Sequence, residues 1–201
     1  MKFFIERVSG PDIEPLTLLE TKRHLRLFDD VKDSDDDVTE LIVAAREWCE
    51  DFTGRALVDQ VWRLTVEDYE SGAIRFYKSP VLALTSFVSV AADGEETVVE
   101  DVGSPTIVTY EIRGADSKWP SIAPLTGAVW PEGLLRLEFR AGYVNRTSSP
   151  IQDASVIPAR IRNAMKIWIG AMWDRDEKTF ERDMNIAERI LRAERVDMQV
   201  G

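Results

Sequence analysis

The spacing of apolar residues changes twice along the chain. Val38, Leu41, Ile42, Ala45, Trp48, Cys49 and Phe52 fall at i, i+3, i+4, i+7, i+10, i+11 and i+14. That spacing makes one stripe along a helix. An aspartate among residues 35–37 is expected to cap its start, and Gly54 to end it in a left-handed conformation. Upstream, Thr17-Leu18-Leu19-Glu20 has the form of a capping box and opens a shorter helix bearing Leu18, Lys22 and Leu25. Lys22, Arg23, His24 and Arg26 gather at its C-terminal end, where the helix dipole favours cations.

From about residue 60 to 143 the period becomes two. Val61–Val66, Ile74–Tyr77, Thr85–Val90, Thr97–Val99, Tyr110–Arg113 and Leu135–Phe139 read as strands, with Asp93-Gly94 as a hairpin turn. Pro80, Pro105, Pro120, Pro124 and Pro131 punctuate the connections, and prolines are poorly suited to central strands. Residues 142–158 form a Ser/Pro/Asp linker. Beyond Pro158, helical spacing returns with Ile161, Ala164, Met165, Trp168, Ile169 and Met172, and then with Phe180, Met184, Ala187 and Leu191 in a helix of about 179–195. The pattern predicts an α+β, mainly α fold: a small bundle of about four helices (about 15–54 and 158–195) with an antiparallel β region of about 60–143 inserted into it. The whole, residues 1–201, is expected to form a single domain with a short tail at 196–201.

Composition narrows the picture by exclusion. A chain of 201 residues can bury roughly 70% of its unfolded surface, so neither disulfides nor metal are needed for a core. With 36 acidic and 25 basic side chains, the net charge is −11. That argues against a surface made to grip nucleic acid, which needs positive charge to displace counterions. It does not oppose DNA passing nearby. No stretch approaches the ~20 apolar residues of a membrane span, and the apolar run Phe3-Phe4-Ile5 is too short for a signal-peptide core. Synthesis in the cytoplasm, with no membrane partner, is the expectation.

Candidate chemistry is sparse. Asp33, Asp35 and Asp37 alternate as at the start of a calcium loop, but Val38 stands where that loop needs its turn glycine and Ala44 where it needs a bidentate glutamate. His24 has no nucleophile or orienting carboxylate signature around it. Cys49 lies on the apolar stripe, where a free cysteine behaves as a small hydrophobe. Pairs such as Glu67 and Asp68, or Asp174 and Asp176, arise by chance among so many carboxylates. Trp119 and Trp130, each before a proline in a loop, suit protein–protein contact. The last helix carries Arg189, Arg192 and Arg195 beside a thin apolar stripe. The tail Val196-Asp197-Met198-Gln199-Val200-Gly201 alternates apolar and polar residues, a pattern suited to adding a strand to a partner's sheet.

Several strings, taken in order, resemble the head–tail connector (portal-adaptor, head-completion) proteins of long-tailed phages and gene-transfer particles. They are Glu14-Pro15-Leu16-Thr17-Leu18-Leu19-Glu20-Thr21-Lys22-Arg23-His24-Leu25-Arg26, the Asp-rich loop leading into Leu41-Ile42-Val43-Ala44-Ala45-Arg46-Glu47, and Phe52-Thr53-Gly54-Arg55-Ala56-Leu57-Val58-Asp59-Gln60-Val61-Trp62-Arg63-Leu64. Ser79-Pro80-Val81-Leu82, Phe139-Arg140-Ala141-Gly142-Tyr143 and Ile157-Pro158-Ala159-Arg160-Ile161 complete the set, which spans about residues 14–175. The charged helix beyond Trp173 departs from the family pattern.

The resemblance implies a structural virion protein, not an enzyme, with no cofactor or metal, acting at the head–tail joint after assembly in the host cytoplasm. About twelve copies would form a ring whose contacts are heterologous, one face of a subunit meeting a different face of the next. The implied partners are the portal, a tail-side stopper or head-closure protein, and double-stranded DNA passing through the channel without sequence-specific binding. Residues expected at the subunit or portal interface are Asp35, Asp36, Asp37, Trp119, Trp130, Arg189, Arg192, Arg195, Met198 and Val200. The alternatives are another head-completion or tail-terminator protein, or a divalent-metal-dependent carboxylate hydrolase using the Asp-rich loop.

Overall fold

The computed structural model describes residues 2–69, 71–100, 109–143, 156–174 and 176–196. Among these residues four helices and eight strands follow in the order β1 (Lys2–Ser9), α1 (Leu18–His24), α2 (Asp35–Thr53), β2 (Gln60–Glu67), β3 (Ile74–Arg75), β4 (Val81–Val90), β5 (Glu96–Glu100), β6 (Tyr110–Arg113), β7 (Ser121–Pro124), β8 (Leu134–Ala141), α3 (Ala159–Asp174) and α4 (Glu177–Leu191). The chain divides into two compact units, one of residues 1–10 and 59–142, the other of residues 11–58 and 143–201.

The first unit holds every strand of the described residues. Five strands in the order β1-β2-β8-β4-β5 form one antiparallel sheet, and β3-β7-β6 form a second. Alternation decides which side chains are buried: Leu135, Leu137, Phe139 and Ala141 of β8 turn inward while the residues between them stay partly exposed. Leu137 lies opposite Leu64 of β2 and Phe87 of β4 in the register, so three strands contribute to one layer. The second sheet meets this layer through aromatic contacts, with the Tyr110 ring edge-on to Phe87 at 5.0 Å between centroids. The Asp93-Gly94 turn joins β4 to β5, and Gly94 takes the positive φ of 88° that the turn requires.

The second unit holds the four helices. Thr17 caps α1, its Oγ1 accepting the Glu20 N–H at 3.2 Å, as the capping box predicts. Glu20 does not reach back to complete the box; it pairs with Arg162 and Lys166 of α3, each at 2.6 Å. At the start of α2 the cap position falls to Ser34, without a side-chain bond, and Asp35, Asp36 and Asp37 occupy the first turn, where they favour the dipole. Gly54 ends α2 at φ 72°. The apolar stripe of α2 (Val38, Ile42, Ala45, Cys49) packs with Ile161, Ala164, Met165 and Ile169 of α3 and with Ala187 and Leu191 of α4.

This corrects the predicted mainly-α bundle. Helix occupies 35% of the described residues and strand 28%, with the strands in two sheets. Two strands account for much of the difference. β1 was hidden because Phe3 and Phe4 are adjacent apolar residues that blur a period of two; in the fold Phe3 and Ile5 turn inward and Phe4 outward. β7 was hidden between Pro120 and Pro124, yet it is the central strand of its sheet. Pro124 is tolerated because it is the strand's last residue, opposite Tyr110. The β region is therefore not simply inserted: its edge strand comes from the N-terminus.

Candidate interaction surfaces

The Asp-rich stretch is organised from beneath by a lysine. Lys22 sits in the last turn of α1 and is only 2% exposed. Its ammonium donates to the backbone carbonyls of Asp29 and Val31 and to Asp35 Oδ1, the last at 2.6 Å. A buried ammonium must have its donors filled, and these three acceptors fill them. The loop of residues 29–35 is thus wrapped around a cation of the chain itself. Arg23 adds an exposed pair with Asp29 at 3.0 Å. Among the described residues, no group of three or more His, Cys, Asp and Glu side chains is placed to hold a metal ion.

Asp36 and Asp37 remain exposed. Asp37 borders a hollow of about 450 Å³ with Glu40, Leu41, Ala44, Met172 and Trp173. Leu41 and Met172 also line a larger, mainly apolar hollow of about 790 Å³, bounded by Ala171, Phe180, Glu177, Lys178 and Glu181. The two hollows form a groove of apolar floor and mostly acidic rim between α2, α3 and the start of α4.

Two polar anchors in this unit were not singled out in the sequence. Arg46 is 3% exposed; it donates to Glu14 at 2.9 Å and to Glu50 at 3.0 Å. Glu50 in turn accepts the backbone N–H of Leu57 at 2.8 Å, tying the segment after α2 to its last turns. Burial works to lower the Arg46 pKa, but the bonds and charges of Glu14 and Glu50 hold it above its ordinary value. Burial raises the Glu14 carboxyl despite the Arg46 bond. A signal was present: Arg46 stands eight residues after Val38, on the stripe's own side of the helix. The second anchor is Arg55, which donates to the Glu194 carbonyl at 2.8 Å, while Arg160 pairs with the Glu194 carboxylate at 3.0 Å. The chain then returns to α2 as Val196 N–H bonds to the Thr53 carbonyl at 2.7 Å.

Of the interface arginines, Arg189 lies exposed in the last turn of α4, and Arg192 is exposed in the 3-10 turn that follows. Arg195 places its guanidinium 5.6 Å from the centre of the Phe52 ring. Met198 and Val200 lie outside the described residues. The thiol of Cys49 is fully buried, and burial pushes its pKa up, as fits a core residue.

In the β unit the two tryptophans differ. Trp119 is 41% exposed, with the Arg75 guanidinium 4.6 Å over its ring. Trp130 donates its indole N–H to the Gly72 carbonyl at 2.9 Å and sits among Tyr69, Phe87 and Tyr110. The outer face of the five-stranded sheet carries a ladder of ions. Arg63 bridges Glu6 at 2.7 Å and Glu138 at 2.6 Å, and Arg136 pairs with Glu96. Arg140 donates from Nε to Asp59 at 3.0 Å.

No protein-family model matches the sequence, and no curated protein matches it. Solved structures do. The fold is similar to a chain in the virion of a native gene transfer agent (GTA) particle, at TM-score 0.74 and 21% identity, covering 98% of this chain and 97% of that one. It is also similar to a chain in the neck of an empty GTA particle computed with C6 symmetry, at TM-score 0.75 and 20% identity, covering 98% of each. A third similar chain belongs to the neck of a native GTA particle computed with C12 symmetry, at TM-score 0.70 and 20% identity, again covering 98% of each.

Proposed function

We propose that the protein is a structural head–tail connector: an adaptor subunit that forms an oligomeric ring between the portal and a tail-side stopper or head-closure protein. The observation that carries this reading is the likeness to chains of gene-transfer-agent necks over 98% of both chains. A match of that extent includes both compact units, not one common module. The ordered strings of the sequence, which resemble head–tail connectors, independently support the same reading. The C6 and C12 symmetries of the related necks support a ring of about twelve copies.

A ring around a DNA channel gives the charge balance a role. At −11 net charge, the subunit repels phosphate instead of holding it, so a genome can slide through without stalling. Polar anchors beneath the Asp-rich loop and at the C-terminal turn keep these segments in fixed shapes, as a surface with a standing partner needs. The protein then resides at the head–tail joint of the particle, and before that in the cytoplasm of the producing cell.

The test is deletion of the gene followed by negative-stain electron microscopy of the lysate. Heads and finished tails lying unattached, with joining restored by the gene in trans, are the expected result. Normally joined particles in the deletion strain would overturn the reading.

A further inference from the structure

The five-stranded sheet ends on β1 at one flank and β5 at the other, each hydrogen-bonded to a strand on one side only. No further strand joins either edge among the described residues. Edges of this kind are templates for pairing with another chain, and soluble proteins blunt them with charge, proline or bulges. Both edges carry charges and an irregularity of register, at Arg7–Ser9 on β1 and opposite Phe87–Val88 on β5, yet each also presents large apolar side chains to solvent. Phe4 is 64% and Val8 45% exposed on β1, and Val98 is 67% exposed on β5. Two different sticky edges, facing away from each other, are what a heterologous ring contact requires.

The two edges also match in detail. Strand direction alternates across the sheet, so β1 and β5 run parallel, and a rotated neighbour would meet β5 with a parallel β1. The side chains of Lys2, Phe4 and Glu6 alternate with the inward Phe3 and Ile5. On β5, Glu96 and Val98 share the face of Val90 and Val88, their partners in register, which is the outer face. Setting Phe4 beside Val98 therefore sets Lys2, which also lies 3.7 Å from Asp68, beside Glu96, which also pairs with Arg136, so that opposite charges meet on the same face. Beyond Val98 the register of β5 shifts opposite Phe87–Val88, so the match is confined to Lys2–Phe4 against Glu96–Val98.

We infer that β1 of one subunit adds to β5 of the next, so that the sheet continues from copy to copy around the ring. The partner is a second copy of this chain, and the inference rests on the connector reading. Backbone hydrogen bonds would supply the contact, while Phe4 against Val98 and Lys2 against Glu96 would set its register.

Cysteine cross-linking in assembled particles tests it. The single native cysteine is buried, so new surface thiols are the reactive ones. The deletion strain is complemented with Phe4→Cys, Val98→Cys or both, and joined particles are oxidised and run on non-reducing gels. The double variant is expected to give a ladder of covalent multimers, and each single variant only monomers. Monomers alone from joined particles of the double variant would overturn the edge contact and leave the connector reading intact. Dimers from either single variant would overturn it too, since they mean like edges meet. Joined particles without any copy of the gene would instead sink the connector reading itself. If the cysteine pair prevents joining, charge reversal decides: Lys2→Glu and Glu96→Lys should each lower the yield of joined particles at least several-fold, and together restore it. No restoration would overturn the proposal.

Discussion

The two compact units use charge in opposite ways. In the helical unit the charged groups that matter are inside: the side chains of Lys22, Arg46 and Arg55 are 3%, 4% and 6% exposed, and each gathers backbone carbonyls or carboxylates around it. In the β unit the charges form a ladder across the solvated outer face, where Arg63 keeps 33% and Glu6 62% of its side-chain surface. The difference follows from what each unit must hold. A sheet fixes its strands through backbone ladders, so its ion pairs can stay in water and contribute little. Helices leave connecting loops with unpaired carbonyls and N–H groups, and buried side chains have to satisfy them.

That contrast can be broken by experiment. The largest expected effect is Arg46→Ala, which leaves Glu50 and much of Glu14 buried without their cation. Losing one partner of a buried pair costs about 3–5 kcal/mol, measurable by urea unfolding; a loss below ~1 kcal/mol would erase the distinction between the units.

An intermediate effect is expected at Glu20, which joins α1 to α3. Burial works to raise its pKa, but the Lys166 bond and the Arg162 charge bring the carboxyl below its ordinary value. A group lowered in the folded state contributes stability above its unfolded pKa and loses it as pH falls through the folded one. Glu20→Gln should therefore cost about 1–2 kcal/mol at neutral pH. The gap to the parent protein should close as pH drops through and below the ordinary carboxylate range. A gap that stays constant down to acid pH would remove the ionic part of this contact. The smallest effect is expected at Glu6→Gln, which cuts one arm of the exposed ladder and should change unfolding stability by less than about 0.5 kcal/mol.

Much of the fold was legible because local rules set it. The α2 stripe, the Thr17 cap, the Gly54 stop and the Asp93-Gly94 turn each depend on residues within a few positions of one another. Cys49 in the core follows from the same periodicity. The interaction surfaces were less legible. Asp35 reads as one more solvated aspartate until Lys22, thirteen residues earlier, is placed under it. Trp119 and Trp130 look alike in sequence, each followed by proline, and only the aromatic neighbours of Trp130 separate them. The balance of helix and sheet was missed because β1 finds its partner β2 more than fifty residues downstream, and because Pro124 ends a central strand.

By itself, then, the sequence determined the period of each long element, the capping and turn residues, the absence of a signal for nucleic-acid gripping, and the resemblance to head–tail connectors. These are properties of neighbours in the chain or of the chain's summed charge. Tertiary structure decided which strands form an edge, which carboxylates are buried against a cation, and that the N-terminal strand belongs with residues 59–142. Each of these is a pairing between distant segments. It depends on loop closure and on the desolvation of polar groups, neither of which a local window of residues contains.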